Sequence, residues 1–259
     1  MNSQRLRVEI EGGVGRVTLA RPDAANAIDL GFAQEFEAAA LACREQNVRV
    51  VLIAAEGRFF CAGGDLKSFS AQPDLPSHLA EVTRHLHSGI ATFVELDAPV
   101  VLAITGAAAG AGIGLVGAAD VVVAGKSATF VMAYTAIGLS PDGSSSWFLA
   151  RHLGVRRALD LTLTNRVLSA SEALDWGLVS RVVGDAQVEA EAEGLVEKFS
   201  IGPTGAYGAS ARLIRSAGDR TLREHMAAES ESIVNLSRSA NGIEGIASFV
   251  ERRSPHFGE

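Results

Sequence analysis

The sequence predicts an α/β protein with one large core and a helical tail, on three observations. Short β-branched runs alternate with helix-period segments through the first half of the chain. Glycine-containing loops fall between them, so strands and helices repeat with no long linker. Beyond Ser144 the pattern turns helical, which places the core over residues 1–200 and a helical region over 201–259.

Taken in order, Val8 to Glu11 and Val14 to Leu19 read as strands. Asp29 is a natural N-cap for a helix that carries Phe32, Phe36, Ala39 and Cys43 along one face. Val48 to Ala54 follows as a buried strand. After the Phe60-Cys-Ala-Gly-Gly-Asp65 loop comes a polar, proline-containing stretch, Ser68 to Ser77, expected to be a mobile flap. A helix is then predicted from Leu79, Val82, Leu86, Ile90 and Phe93, which stand three or four residues apart. Val100 to Ile104 and Val121 to Ala124 are further strands with a small-residue helix between them. Ser169 and Glu172 form a capping-box signature, and helices are expected over 204–217, 221–239 and 242–253. That tail covers no strand of its own, so it is expected to pack on a neighbouring surface or subunit.

With 259 residues, 47% of them hydrophobic, the chain can bury a substantial core. A net charge of −7 argues against a nucleic-acid surface. The longest apolar runs are broken by glycines and Asp120, which argues against a membrane span, and the N-terminus has no apolar export region, so a cytoplasmic location is expected. Two cysteines, Cys43 and Cys61, make neither a disulfide framework nor a four-thiolate zinc site. His85 and His87 are two residues apart on one predicted helix and face different ways, so no metal is expected.

The chemistry concentrates around Pro141-Asp142-Gly143, a turn between apolar and helical segments. Asp in such a turn can bond its own backbone or cap the following helix; a lone acid there can also transfer protons. Two loops bear on the choice, Phe60 to Asp65 and Gly106-Ala-Ala-Ala-Gly110-Ala111-Gly112, because each precedes a helix and could aim backbone N–H groups at a developing oxyanion. Gly112, Gly114 and Gly117 match a dinucleotide-binding spacing, but they start six residues after the strand and no acid stands about twenty positions later. Gly114 and Gly117 are better read as sites of close helix packing.

Together these residues resemble the crotonase superfamily of acyl-CoA enzymes along nearly the whole chain. Arg21-Pro-Asp-Ala-Ala-Asn26-Ala resembles that family's first-loop motif, Phe60 to Leu66 its first oxyanion loop, Gly106 to Gly112 its second, and Glu244 to Phe257 its C-terminal helix. The resemblance implies a ββα spiral with C-terminal helices that form a homo-trimer, commonly as a dimer of trimers. It implies that the backbone N–H groups of Gly64 and Ala111 receive the oxygen of a coenzyme A thioester, which is the substrate, with no permanently bound cofactor. It also places Ala24, Ala25, Ala62, Asp65 and Leu66 of one subunit, and Phe249 and Arg252 of another, around the coenzyme A moiety.

Hydratases of this family use two glutamates, at positions where this chain has Gly114 and Tyr134. Asp142 instead matches the single acid of two other branches. One comprises the enoyl-CoA and ring-epoxide isomerases of phenylacetyl-CoA breakdown, in which one base can move a proton and shift a double bond. The other is 4-chlorobenzoyl-CoA dehalogenase, which His87, twelve residues before Pro99, also resembles; there the matching Asp attacks an aromatic carbon. Gly64 and Tyr134 stand where dehalogenases place Phe and Trp, which is expected to remove aromatic walls. Isomerisation is therefore expected first and dehalogenation second, with weak hydration or a catalytically silent thioester binder as further alternatives. His87 reads first as a helix residue with one local hydrogen bond and Tyr134 first as core or pocket wall, each ahead of a part in the chemistry.

Overall fold

A computed structural model of the protein describes residues 4–258. The chain opens with an antiparallel hairpin, β1 (Leu6–Glu11) and β2 (Val14–Leu19), and α1 (Leu30–Glu45) follows. Asp29 caps α1 by accepting the Phe32 N–H at 2.7 Å, and Phe32, Phe36, Ala39 and Cys43 form its buried face, as their spacing requires.

The body is a ββα spiral, and each turn adds one strand to a long sheet and one to a short sheet. The first turn contributes β3 (Val50–Ala55), β4 (Phe59–Cys61), α2 (Leu66–Ser70) and α3 (Leu75–Val94). The second contributes β5 (Val100–Ile104), β6 (Ala107–Ala109) and α4 (Ala111–Ala118), and the third β7 (Val121–Gly125), β8 (Thr129–Val131) and α5 (Ser145–Thr164). After β9 (Leu168–Ser169) and α6 (Ala170–Trp176), β10 (Arg181–Val183) closes the long sheet, and α7 (Val188–Ser200), α8 (Thr204–Ser216), α9 (Leu222–Ser237) and α10 (Ala240–Glu251) complete the chain.

The long sheet runs β1-β2-β3-β5-β7-β10 and is parallel from β2 onward. Its strands read as near-continuous apolar runs because both faces are covered. The short sheet runs β4-β6-β8-β9, with β4, β6 and β8 parallel. Parallel strands end on one edge, so the loops after β4, β6 and β8 emerge side by side. The site is built at that edge, outside the carboxyl ends of the strands.

The structure corrects one expected element. Ser68 to Ser77 is largely helical: it contains the end of α2 and the start of α3, and Asp74 caps α3 through the Ser77 N–H at 3.2 Å. Pro76 sits in the first helical turn, where its missing N–H has no intrahelical acceptor to lose. Among the described residues, no helix is long and apolar enough to cross a membrane, and no group of three or more His, Cys, Asp or Glu could hold a metal ion.

Candidate active site

The three loops at the carboxyl edge of the short sheet meet around Gly110. Its N–H donates to the Val131 oxygen at 3.0 Å, binding the second loop to the third. A β-carbon built on Gly110 would stand 3.5 Å from the Gly63 Cα and 4.0 Å from the Tyr134 ring, and one on Gly63 would press the Ala109 oxygen at 2.9 Å. Both glycines have positive φ, 52° and 85°, so their absent side chains permit the fold of each loop as well as their contact.

Gly64 and Ala111 follow these two glycines and line one cavity of about 300 Å³. Among the described residues, neither amide N–H donates to a protein acceptor. Ala111 begins α4, all eight residues of which are buried, so its N–H belongs to the positive end of a desolvated helix. Two donors with no protein acceptor on one largely apolar cavity are free to donate to a ligand oxygen.

The walls come from α3 and from the loop after β8. Leu79, Val82, Thr83 and Leu86 present one face of α3, opposite Met132, Tyr134, Ile137 and Leu139. Thr83 is polar in kind only, since its hydroxyl donates back to the Leu79 oxygen at 2.8 Å. Phe69 of α2 adds an aromatic wall, and its ring stands 2.7 Å from where a Gly64 β-carbon would be. The expected loss of aromatic walls is thus corrected. Phe69 fills the space beside Gly64 from five residues downstream, and Tyr134 supplies a second ring.

Among the described residues, Asp142 is the only carboxylate that lines this cavity. Its Oδ1 accepts a short hydrogen bond from the Tyr134 hydroxyl, and its side chain keeps 31% of its surface exposed. Burial first, then the charge and hydrogen bond of Asp142, push the Tyr134 phenol far above its usual value. Tyr134 is therefore neutral at ordinary pH, a hydrogen-bond donor to Asp142 and a wall of the cavity. The Asp142 carboxylate does not cap α5. The Ser145 N–H and hydroxyl bond the Asp142 main-chain oxygen, at 3.1 and 2.7 Å, which leaves the carboxylate facing inward.

Two neighbours fix this turn. His87 Nε2 accepts the Gly143 N–H at 3.0 Å and lies 4.0 Å from Asp142 Oδ2. An Nε2 that accepts belongs to a neutral imidazole with its proton on Nδ1. The bond of His87 is thus made across 56 residues to the active turn rather than locally. Gly114 is the second neighbour: a β-carbon there would stand 1.8 Å from the Gly143 oxygen. The turn that carries Asp142 occupies the space a side chain at 114 would need.

The remaining sequence candidates fall into two groups. Ala62 and Leu66 are exposed on the cavity rim, whereas Ala24 and Ala25 lie on the adjoining first loop, with the Ala25 oxygen receiving the Ala62 N–H at 3.0 Å. Asp65 turns its carboxylate away from the cavity, to Arg21 and to the Ser68 N–H at 3.0 Å. Phe249 and Arg252 lie at the exposed end of α10 and do not line this protomer's cavity.

Comparison with known proteins adds an independent line. The enoyl-CoA hydratase/isomerase family model matches residues 9–259. A 1,2-epoxyphenylacetyl-CoA isomerase of Escherichia coli is 36% identical over 251 residues, covering 96% of each chain. A 4-chlorobenzoyl coenzyme A dehalogenase of an Arthrobacter species is 30% identical, covering 96% of this chain and 91% of the relative. The crystal structure of an enoyl-CoA hydratase from Polaromonas superposes with a TM-score of 0.92 at 34% identity, covering 98% of this chain and 99% of that one. Relatives with three different activity names stand at similar distances, so the choice among reactions falls to the site.

Proposed function

This chain belongs to the enoyl-CoA hydratase/isomerase family, and we propose that within it the protein isomerises an enoyl-CoA or related ring thioester, with Asp142 as its single base. The observation that carries this reading is one carboxylate facing a cavity whose rim offers two amides with no protein acceptor. The thioester oxygen sits between the Gly64 and Ala111 N–H groups. Asp142 removes a proton from the acyl carbon beside the double bond, the electron pair moves into the carbonyl as a dienolate, and the protonated Asp142 returns the proton at the far end. Nothing is added or lost, and no second acid is required. Small residues at 64 and 111 let the oxygen approach the main chain, where loss of one donor typically costs about 3 kcal/mol of transition-state stabilisation.

Hydration is disfavoured on steric as well as chemical grounds. The Gly143 carbonyl fills the space beside Gly114, so an acid at 114 and Asp142 in its present place exclude one another. The acyl group rests against aliphatic and aromatic side chains and one neutral phenol, a lining suited to an uncharged acyl chain or ring. No resident cofactor enters this scheme; coenzyme A arrives as part of the substrate. Its handle lies along the Ala62–Leu66 rim and the first loop, and in a homo-trimer or dimer of trimers Phe249 and Arg252 of another subunit complete that site in the cytoplasm.

A second reading, dehalogenation of a haloaroyl thioester, is favoured by one observation, the placement of His87 beside Asp142. There Asp142 would attack carbon and His87 would activate water. His87 Nε2 is committed to the Gly143 N–H, which ranks this reading below isomerisation. Asp142→Asn tests the leading reading: Δ3 to Δ2 isomerisation is expected to fall by about 10²–10⁴-fold, with acyl-CoA binding retained by calorimetry. Retained turnover removes Asp142 from the role.

A further inference from the structure

Arg21 and Asn26 of the first-loop motif take no part in the chemistry above, yet the structure gives both a defined task. The Arg21 guanidinium spans two carboxylates, with Nη1 2.5 Å from Asp29 Oδ2 and Nη2 2.5 Å from Asp65 Oδ2. This is not a surface pair, since the three side chains keep 16%, 10% and 20% of their area exposed. Asp29 is the fixed end. It caps α1, and although burial alone would raise its carboxyl, hydrogen bonds from Arg5 and the Phe32 N–H and the charge of Arg21 hold it below the usual range.

Asp65 is the working end, because it directly follows Gly64. Three backbone bonds join the first loop to the first oxyanion loop: Ala62 N–H to the Ala25 oxygen at 3.0 Å, Ile28 N–H to the Gly63 oxygen at 2.7 Å, and Asp65 N–H to the Ile28 oxygen at 2.9 Å. They fix the peptide groups on either side of Gly64. Asn26, 1% exposed, anchors the first loop itself: its amide donates to the Glu56 and Phe59 oxygens, both at 2.9 Å, and its oxygen accepts the Arg21 N–H.

We propose that Arg21 is a positioning residue, which by holding Asp65 fixes the Gly63–Gly64 peptide and so aims the Gly64 N–H at the thioester oxygen. This rests on the reading of Gly64 as an oxyanion donor. It assigns the Asp65 carboxylate to loop geometry and not to contact with coenzyme A. It also gives the first-loop motif a function at a distance: one planar cation ties the caps of two helices with a separate donor nitrogen for each carboxylate, a fork that lysine lacks.

Two variants separate this role from simple stabilisation. Asp65→Asn keeps the α2 cap, since Asn accepts the Ser68 N–H as well as Asp does, but removes the charge that Arg21 holds. Arg21→Lys keeps the charge and loses the fork. The readout is the infrared stretch of a carbonyl-¹³C saturated acyl-CoA, which binds and cannot react, alongside kcat, KM and Tm. In the unmodified protein the bound carbonyl is expected at lower frequency than in buffer. In both variants that shift shrinks, and kcat falls by about tenfold with KM nearly unchanged, less than the roughly hundredfold or greater loss expected on removing a donor outright. A full carbonyl shift and full kcat in the variants, with or without a lower Tm, overturns the proposal, as does a raised KM at unchanged kcat. Should Arg21→Lys not fold, Asp65→Asn decides alone. Absence of the shift in the unmodified protein instead removes the oxyanion reading of Gly64, and this proposal with it.

Discussion

All eight residues of α4, behind the second oxyanion loop, are buried, while α9 has no buried residue and α10 only Ser248. The loop edge is fixed by the chain's own packing, with Gly114 against Gly143 and Gly63 against Gly110 leaving no room for adjustment. The C-terminal helices instead present Leu222, Ile233, Phe249 and Val250 to solvent at 69–84% exposure. Between them stands α8, fastened to the core by Arg212 to Asp97 and by Arg215 to Asp120 and the Val94 oxygen. The contrast separates two problems. Chemistry needs donors and a base fixed within fractions of an ångström, and a single chain supplies that. An apolar surface of the kind α9 and α10 carry belongs against another surface.

The largest effect on the loop edge is expected from Gly114→Ala. Its methyl must displace the Gly143 carbonyl, and with it Asp142, so turnover should fall by about a hundredfold while steady-state binding of a saturated acyl-CoA persists. Near-normal turnover would show that the turn can yield. Gly114→Glu should lose isomerisation and gain no hydration. A smaller effect is expected from His87→Ala. If His87 only holds the turn, kcat drops several-fold, within the reach of one hydrogen bond worth about 0.5–1.5 kcal/mol. A loss as deep as that of Asp142→Asn would give the imidazole a share in the chemistry. The smallest effect on kcat is expected from Phe249→Ser with Val250→Ser, because the proposed contact of Phe249 is with the coenzyme A moiety and its loss falls on KM. These substitutions should leave the loop edge intact, yet, where this face is the proposed subunit contact, lower the sedimentation coefficient and make Tm depend on concentration. Unchanged assembly, with stability altered by less than about 0.5 kcal/mol, would mean that this face is ordinary solvent surface.

How far the sequence carried depended on the range of the interaction behind each feature. The Asp29 cap, the Ser169–Glu172 capping box and the Phe32–Cys43 stripe are local, so spacing alone revealed them. Strands of two or three residues, such as β8, β9 and β10, carry no periodicity to read, and they exist because neighbouring strands template them. Ser68 to Ser77 looked like a flap because its prolines and polar residues are loop-like in composition; Asp74 and Pro76 are helix-start residues when placed in order. The resemblance pointed to Gly64, Ala111, Tyr134 and Asp142, and the structure brings all four to one cavity. It did not reveal the bond of His87 to Gly143, the filling of space at Gly114, or Phe69 as the wall beside Gly64. Those are contacts between segments distant in the chain, or a ring displaced along it, and no motif records them.

The central claim is that one carboxylate and two amides move a proton and add nothing. Incubating the protein with enoyl-, epoxy- and haloaroyl-CoA thioesters in ¹⁸O-water, followed by mass spectrometry of the products, tests it most directly. The account predicts a product of unchanged mass and altered chromatographic retention from at least one enoyl or ring substrate, and no ¹⁸O uptake from any. Product carrying ¹⁸O, by hydration of the enoyl-CoA or replacement of the halogen, would contradict it.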